Sequence, residues 1–508
     1  MQSDKSKPSE CEDRSEGLQL TRAGFIIPGL TVLVVVGIAM GLVPFGAPGW
    51  TPVGYRTSAG LLNPISLVVG ALALVLAMAL PGLLKTQRAF VLLVVMGGLS
   101  IVINASMHRP VDHSWTGRLI FYCSAQINPF FMQGMNEAAD DPFAYPEKHR
   151  EILEKGYASV AVREHRLTTY PPGLPMLYGI GANAVEWLSI DEGVARLGTG
   201  QVRRNRELGG LPIPVDSVTT AVATLALGIQ MILLALLPWL SYLAVTILEG
   251  HESQAKRAAC ASVFIPSFWM YACTPNIMIP ILAMLALLAA AMAVSRSSVV
   301  WTVATVAALT FGFMISYAMA PIVLICFLLI IMGGEAPRSV RLRLLATWCG
   351  ATGALWGILS LCGFSPFGDF AASMANNHEF YGISNRGYIG ALGWNVVQFT
   401  IFSGIIWPAL ALVAFGSAVV RFRAKGWGTM ALTTQLTLIG GITIFIIWLS
   451  GGARGEVDRN WMAFMPLLPL FIVSELRASG RCWQVWMASA AICVFVISCS
   501  VEAIFAFV

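Results

Sequence analysis

Runs of about 20 apolar residues recur from one end of this chain to the other, and each is long enough to cross the roughly 30 Å hydrocarbon core of a bilayer as a helix. Lipid offers no partner to backbone N–H and C=O groups, so a spanning segment must satisfy them within itself. Only 12% of the 508 residues are charged, about half the share of a soluble domain, and 56% are hydrophobic. The net charge of +5 is modest, and no basic run points to nucleic acid.

The apolar runs predict an all-α multi-pass membrane protein with about 13 transmembrane helices. The expected spans are 23–43, 61–83, 89–106, 217–248, 258–273, 277–294, two short helices within 299–332 broken near 316–321, 344–362, 392–420, 430–449, 461–473 and 485–507. Residues 1–22 are polar and mixed in charge. They lack the short basic start and brief apolar core of a secretory signal and are expected to form a cytoplasmic, disordered tail ahead of a membrane domain over 23–508.

Short cytoplasmic loops collect Lys and Arg. With the tail inside, the loops expected inside carry Lys85 and Arg88; Lys256 and Arg257; Arg296; Arg338, Arg341 and Arg343; Arg421, Arg423 and Lys425; Arg477 and Arg481. Three polar segments then fall on the external face: a long insert at 107–214, a loop expected over 363–391, and the turn GGARGEVDRN at 451–460. Within the insert, one helix is expected near 146–163. A second, over 174–188, is expected to lie in the membrane interface.

Ionisable residues are nearly absent from the spans, Glu502 excepted, and gather instead at the external edge. Ion-coupled transporters place such groups near mid-membrane. The distribution points to a site at the membrane surface, facing a substrate that is part lipid and part polar. Most of the ten cysteines lie in apolar spans and Cys123 is alone in the insert, so neither a disulfide framework nor a CxxC metal site is visible.

Four constellations stand out. Asp112, with His113 beside it, follows the third span closely; a carboxylate fixed there can take a proton from an attacking hydroxyl, although a solvated flanking Asp is common at such positions. Arg166 precedes Tyr170-Pro171-Pro172-Gly173, a stiff turn beside a guanidinium able to fork onto phosphate oxygens. Asn376 to Gly382, NNHEFYG, offers amides and rings suited to sugars, with His378 and Tyr381 as candidate contacts, though interfacial aromatics also anchor membrane helices. Arg454, Glu456, Asp458 and Arg459 crowd one short turn, where the arginines can hold a phosphate or the four can form local ion pairs. HExxH, Walker-type and GxSxG motifs are missing, as is a DxD pair.

Together these residues resemble the membrane glycosyltransferases of the GT-C class, which include protein O-mannosyltransferases and the aminoarabinose transferase of lipid A. The Asp in the first large external loop maps onto Asp112, and the family's Pro-Pro element onto Thr168–Gly173. Segments NNHEFYG and RGEVDR resemble stretches of bacterial members. Two spans precede the one leading into the loop, where many members have one, and Tyr170 stands where His is frequent.

The resemblance implies inverting transfer of a sugar from a polyprenyl-phosphate donor to a lipid, glycan or protein acceptor, outside the cytoplasmic membrane. Asp112 would be the general base, Arg166, Arg454 and Arg459 would hold the donor phosphate, and His113, Tyr170, His378, Tyr381 and Glu456 would contact sugar or acceptor. No cofactor is implied; a divalent metal is compatible with this chemistry without being indicated. The rival expectation is a multi-pass transporter or flippase for a lipid-linked or small polar solute.

Overall fold

The computed structural model describes residues 26–31, 33–34, 89–107, 129–160, 167–196, 216–249, 251–271, 274–384, 386–452, 454, 460–473 and 482–505. Among these residues there are helices and turns and no strand. In chain order the helices are α1 (Ala89–Met107), α2 (Pro129–Gln133, running into a π-helical turn Gly134–Ala138), α3 (Tyr145–Lys155), α4 (Gly173–Trp187), α5 (Ser217–Glu249) and α6 (Glu252–Val263). Then come α7 (Pro266–Met270), α8 (Met278–Ser295), α9 (Val299–Ile315), α10 (Ala320–Met332) and α11 (Arg338–Leu361). Last are α12 (Pro366–Ile383), α13 (Tyr388–Phe402), α14 (Ile406–Lys425), α15 (Leu432–Ser450), α16 (Leu467–Phe471) and α17 (Cys482–Phe505).

Five stretches, Ser217–Glu249, Pro275–Ser295, Arg338–Leu361, Ile406–Lys425 and Leu432–Ser450, are long and apolar enough to cross a membrane, and shorter apolar helices accompany them. The chain is an all-α integral membrane protein. Its helices lie between two polar rims. The first turns of α9 and α11 adjoin, because Arg343 donates from Nη2 to the Ser297 carbonyl at 2.9 Å. The loop before α11 adjoins α15, because the Gly334 N–H donates to Gln435 Oε1 at 2.9 Å. Thus α9, α11 and α15 run parallel from one rim, and their far ends reach the other, where the polar segments gather.

Broken helices inside the bundle satisfy one another. The chain bends between α6 and α7 at Phe264–Ile265 and between α13 and α14 at Ser403–Ile405, and each bend frees carbonyls that lipid cannot bond. Trp407 Nε1 donates to the Phe264 carbonyl at 2.8 Å, and Ser267 Oγ donates to the Phe402 carbonyl at 3.0 Å. All four residues are buried.

Several expectations are corrected. The expected single span at 392–420 is two helices split at this bend. Residues 461–473 form buried turns and the five-residue α16, too short to span. The stretch 363–391 is largely helical, as α12 and the start of α13. The helix expected over 146–163 stops at Lys155, because Gly156 takes φ +79°, a conformation that favours glycine. The break expected near 316–321 is present: Ser316 is extended, its Oγ accepts from the Ala318 N–H, and Pro321 opens α10. The spans expected at 23–43 and 61–83 lie wholly or mostly outside the described residues.

Candidate functional site

The site rim is built around α12. Ser365 caps it, its Oγ accepting from the Gly368 N–H, and Pro366 fits the first turn, where a missing N–H costs nothing. Asp369, Ser373 and Asn376 then recur at four- and three-residue spacing, so they share one face. That face is buried against α3 and the chain leading to Tyr170. Asp369 accepts from Arg150 Nε at 3.2 Å and from its own Ser365 N–H at 2.9 Å, while Arg150 Nη2 also donates to the Gly363 carbonyl. Ser373 Oγ donates to the Thr169 carbonyl at 2.9 Å. Asn376 Nδ2 donates to the carbonyls of Leu153 and Thr168, at 3.1 and 2.9 Å. One turn further on, Glu379 Oε2 accepts from the Tyr157 N–H at 3.0 Å.

Burial raises the Asp369 carboxyl above the ordinary carboxylate range, against the opposing pull of the Ser365 N–H and the Arg150 charge.

The Tyr-Pro-Pro-Gly turn is locked from two further directions. The Tyr170 carbonyl is 2.8 Å from Nε2 of the buried His149, which fixes the neutral tautomer with the proton on that nitrogen. His149 Nδ1 has no hydrogen-bond partner among the described residues, and burial pushes the imidazole down to about 4. The Tyr170 hydroxyl donates to Asn460 Oδ1 at 3.3 Å, which ties the turn to the last polar segment, and its ring lies 5.1 Å from that of Phe130. Gly173 then opens α4 directly against α9: a Cβ there would stand 2.3 Å from the Met314 carbonyl oxygen.

Past α12 the chain meets the turn after α15. The Tyr381 hydroxyl donates to the Gly452 carbonyl at 3.2 Å and accepts from the Arg454 N–H at 3.1 Å. Arg386 and Arg454 bond each other's carbonyls reciprocally, at 2.9 and 3.1 Å, and Arg454 Nε donates to the Gly451 carbonyl at 3.2 Å. The Arg454 guanidinium sits over the rings of Tyr381 and Tyr388, at 5.3 and 5.8 Å, and that of Arg386 over Phe380 at 4.7 Å. Among the described residues no carboxylate pairs with either guanidinium, and Arg386 Nε is enclosed without a partner. Two cations held side by side by carbonyls and ring faces keep their charge available to an anion.

The described parts of the three polar segments named from the sequence therefore meet at one rim. The individual residues fare differently. His378 is exposed on α12, its ring 6.5 Å from that of Tyr381. Tyr381 and Tyr170 are buried, and their hydroxyls bond protein groups, so both hold the rim together where a direct sugar contact was expected. Arg454 faces the rim with part of its guanidinium already bonded to main chain. Asp112, His113, Arg166, Glu456 and Arg459 lie outside the described residues. Reading the sequence missed His149, Arg150 and Asp369 as parts of this site. The signal for Asp369 was present in Ser365-Pro366 followed by a polar face at helical spacing, a helix-start pattern. His149 and Arg150 carry no such local signal.

No family model, no curated protein and no solved structure matches this chain.

Proposed function

We propose that the protein transfers a sugar from a polyprenyl-phosphate donor to an acceptor hydroxyl at the external face of the cytoplasmic membrane. The observation that carries this reading is the convergence of the Tyr170–Gly173 turn, α12 and the Gly451–Arg454 turn at one end of a membrane-embedded bundle. A site at that height meets a donor whose lipid tail stays in the bilayer while its phosphate and sugar stand at the surface. Orientation is supported by the opposite rim, which carries Arg296, Arg338, Arg341, Arg343, Arg421, Arg423 and Lys425, as cytoplasmic loops do.

In the transfer step, the acceptor oxygen attacks the anomeric carbon from the face opposite the phosphate. Its proton passes to the Asp112 carboxylate, the bond from the anomeric carbon to the phosphate oxygen breaks, and polyprenyl phosphate leaves with inversion. Arg454, joined by Arg166 and Arg459, which adjoin Leu167 and Asn460 in the chain, meets the negative charge growing on the leaving group. His378, His113 and Glu456 contact sugar or acceptor. Tyr170 and Tyr381 act by positioning the Tyr-Pro-Pro-Gly turn and Arg454.

The test is transfer of labelled sugar from synthetic polyprenyl-phosphate sugars by the purified full-length protein, in parallel with solute uptake into proteoliposomes. Transfer that depends on Asp112 supports the reading; uptake that survives Asp112→Asn, without transfer, replaces it with transport.

A further inference from the structure

The Tyr381 side of the rim sets two guanidiniums together and gives them nothing negative to pair with among the described residues. The Tyr381 carbonyl accepts from the Arg386 N–H at 2.9 Å, and its hydroxyl accepts from the Arg454 N–H at 3.1 Å. One tyrosine thus fixes the main chain of both arginines. Their side chains then cross, each donating from Nη1 to the other's carbonyl, and Arg454 Nε takes the Gly451 carbonyl. Among the described residues Nη2 bonds nothing in either arginine, and Arg386 Nε is enclosed without a partner. The rings of Phe380, Tyr381 and Tyr388 back the pair, at 4.7, 5.3 and 5.8 Å. Both residues keep part of their surface open. Carbonyls and ring faces orient a cation without neutralising it, and two like charges held together raise each other's energy. An anion bound to both removes that cost.

The chain next to the pair leads toward lipid. Tyr388 opens α13, which runs back from the rim along α15, where Trp448 Nε1 donates to the Leu392 carbonyl at 2.8 Å. Ile389, Gly393, Val396 and Val397 are exposed and recur at helical spacing, so one side of α13 offers an apolar tail a path that starts beside the arginines. The anion matched to a pair of cations is a dianion. In the proposed transfer the donor is a phosphodiester with one negative charge. When the bond from the anomeric carbon to the phosphate oxygen breaks, its electron pair stays on that oxygen, and the acceptor's proton goes to Asp112. Polyprenyl phosphate thereby becomes a monoester, with a charge of about −1.5 to −2 near pH 7.

We propose that Arg386 and Arg454 together seat the phosphate monoester at the end of a polyprenyl chain, and that this seat favours the leaving polyprenyl phosphate over the sugar-bearing donor. The inference rests on the glycosyl-transfer reading for the origin of the ligand. It adds Arg386 as a second phosphate-binding residue beside Arg454, and it makes the transferase subject to inhibition by its own lipid product.

Calorimetric titration of the purified full-length protein with farnesyl phosphate, its methyl diester and inorganic phosphate tests it. Wild type is expected to bind the monoester about tenfold tighter than the diester, the scale of one charge-assisted hydrogen bond. It is also expected to bind farnesyl phosphate tighter than inorganic phosphate, which lacks the tail. Arg386→Gln brings monoester and diester to near parity, and in a transfer assay farnesyl phosphate competes with the donor less well in this variant than in wild type. Equal binding of monoester and diester by wild type overturns the proposal even where transfer occurs. So does a preference unchanged in Arg386→Gln, or inorganic phosphate binding as tightly as farnesyl phosphate, which marks a free-anion site. A monoester preference that Arg386→Gln abolishes, with no transfer from any donor, keeps the seat and removes the transfer reading. Should the variant not fold, salt decides on wild type. A preference that shrinks toward about 1 M salt, where charges are screened beyond about 3 Å, supports the seat, and one that persists overturns it.

Discussion

At the scale of single residues, the rim is held by side chains that close main-chain hydrogen bonds between distant segments. Tyr381→Phe removes one donor and one acceptor at once, with the Gly452 carbonyl and the Arg454 N–H as the groups left behind. A loss of about 1–2 kcal/mol is expected, read as a lower melting temperature in detergent, together with slower turnover because Arg454 loses its seat. Arg454→Lys keeps the charge but not the two-carbonyl geometry, so it is expected to recover melting temperature less well than charge alone would suggest.

His149 supplies a pH signature. Its imidazole is held at about 4 in the fold, below its ordinary value of 6.5. The unfolded chain therefore binds the extra proton first as pH falls, and stability, full above pH 6.5, declines toward pH 4. The whole window is worth about 3 kcal/mol at 1.36 kcal/mol per unit. Melting temperatures measured at pH 7 and pH 5 are expected to differ more for wild type than for His149→Gln; equal slopes would show that other groups govern this range.

At the scale of elements, the bundle depends on close approach and on paired breaks. Gly173→Ala is expected to destabilise by about 2 kcal/mol or more, since the new methyl would face the Met314 carbonyl of a packed helix. Trp407→Phe leaves the buried Phe264 carbonyl unbonded and is expected to cost about 1–3 kcal/mol in the same melting assay. These elements also mark how far the sequence could be read. Spans such as α5, α8 and α15 were legible because twenty apolar residues admit one solution in lipid. The split between α13 and α14 was not, because a Ser403-Gly404 pair inside an apolar run is also common within an unbroken membrane helix, and the contacts that make the bend tolerable, Trp407 to Phe264 and Ser267 to Phe402, join segments remote in sequence. The helix α12 was read as a loop because its polar face looks like a solvated surface until α3 and the Thr168–Tyr170 turn are packed on it. The same holds for the site: arginines and aromatics were visible as neighbours in sequence, whereas the pairing of Arg150 with Asp369 and of Arg386 with Arg454 exists only in space.

At the scale of the whole molecule, the chain separates its polar chemistry into two rims with a nearly uncharged bundle between them. One rim mixes acids, histidines, tyrosines and arginines from three distant segments; the other is predominantly basic, its lysines and arginines outnumbering Glu249, Glu252 and Glu335. With the basic rim in the cytoplasm, a cysteine placed at the exposed His378 is expected to react with a membrane-impermeant thiol reagent from outside intact cells, and one at Lys425 only after permeabilisation. The reverse pattern would invert the protein and remove an external site. Glycosyl transfer itself is tested most directly by turnover of a synthetic polyprenyl-phosphate sugar by purified wild type beside Asp112→Asn and Arg454→Ala. Wild type is expected to release polyprenyl phosphate as it glycosylates the acceptor, with Asp112→Asn slower by about 10²–10⁴-fold and Arg454→Ala clearly impaired. Equal turnover by all three proteins, or none by wild type with any donor, would contradict the assignment.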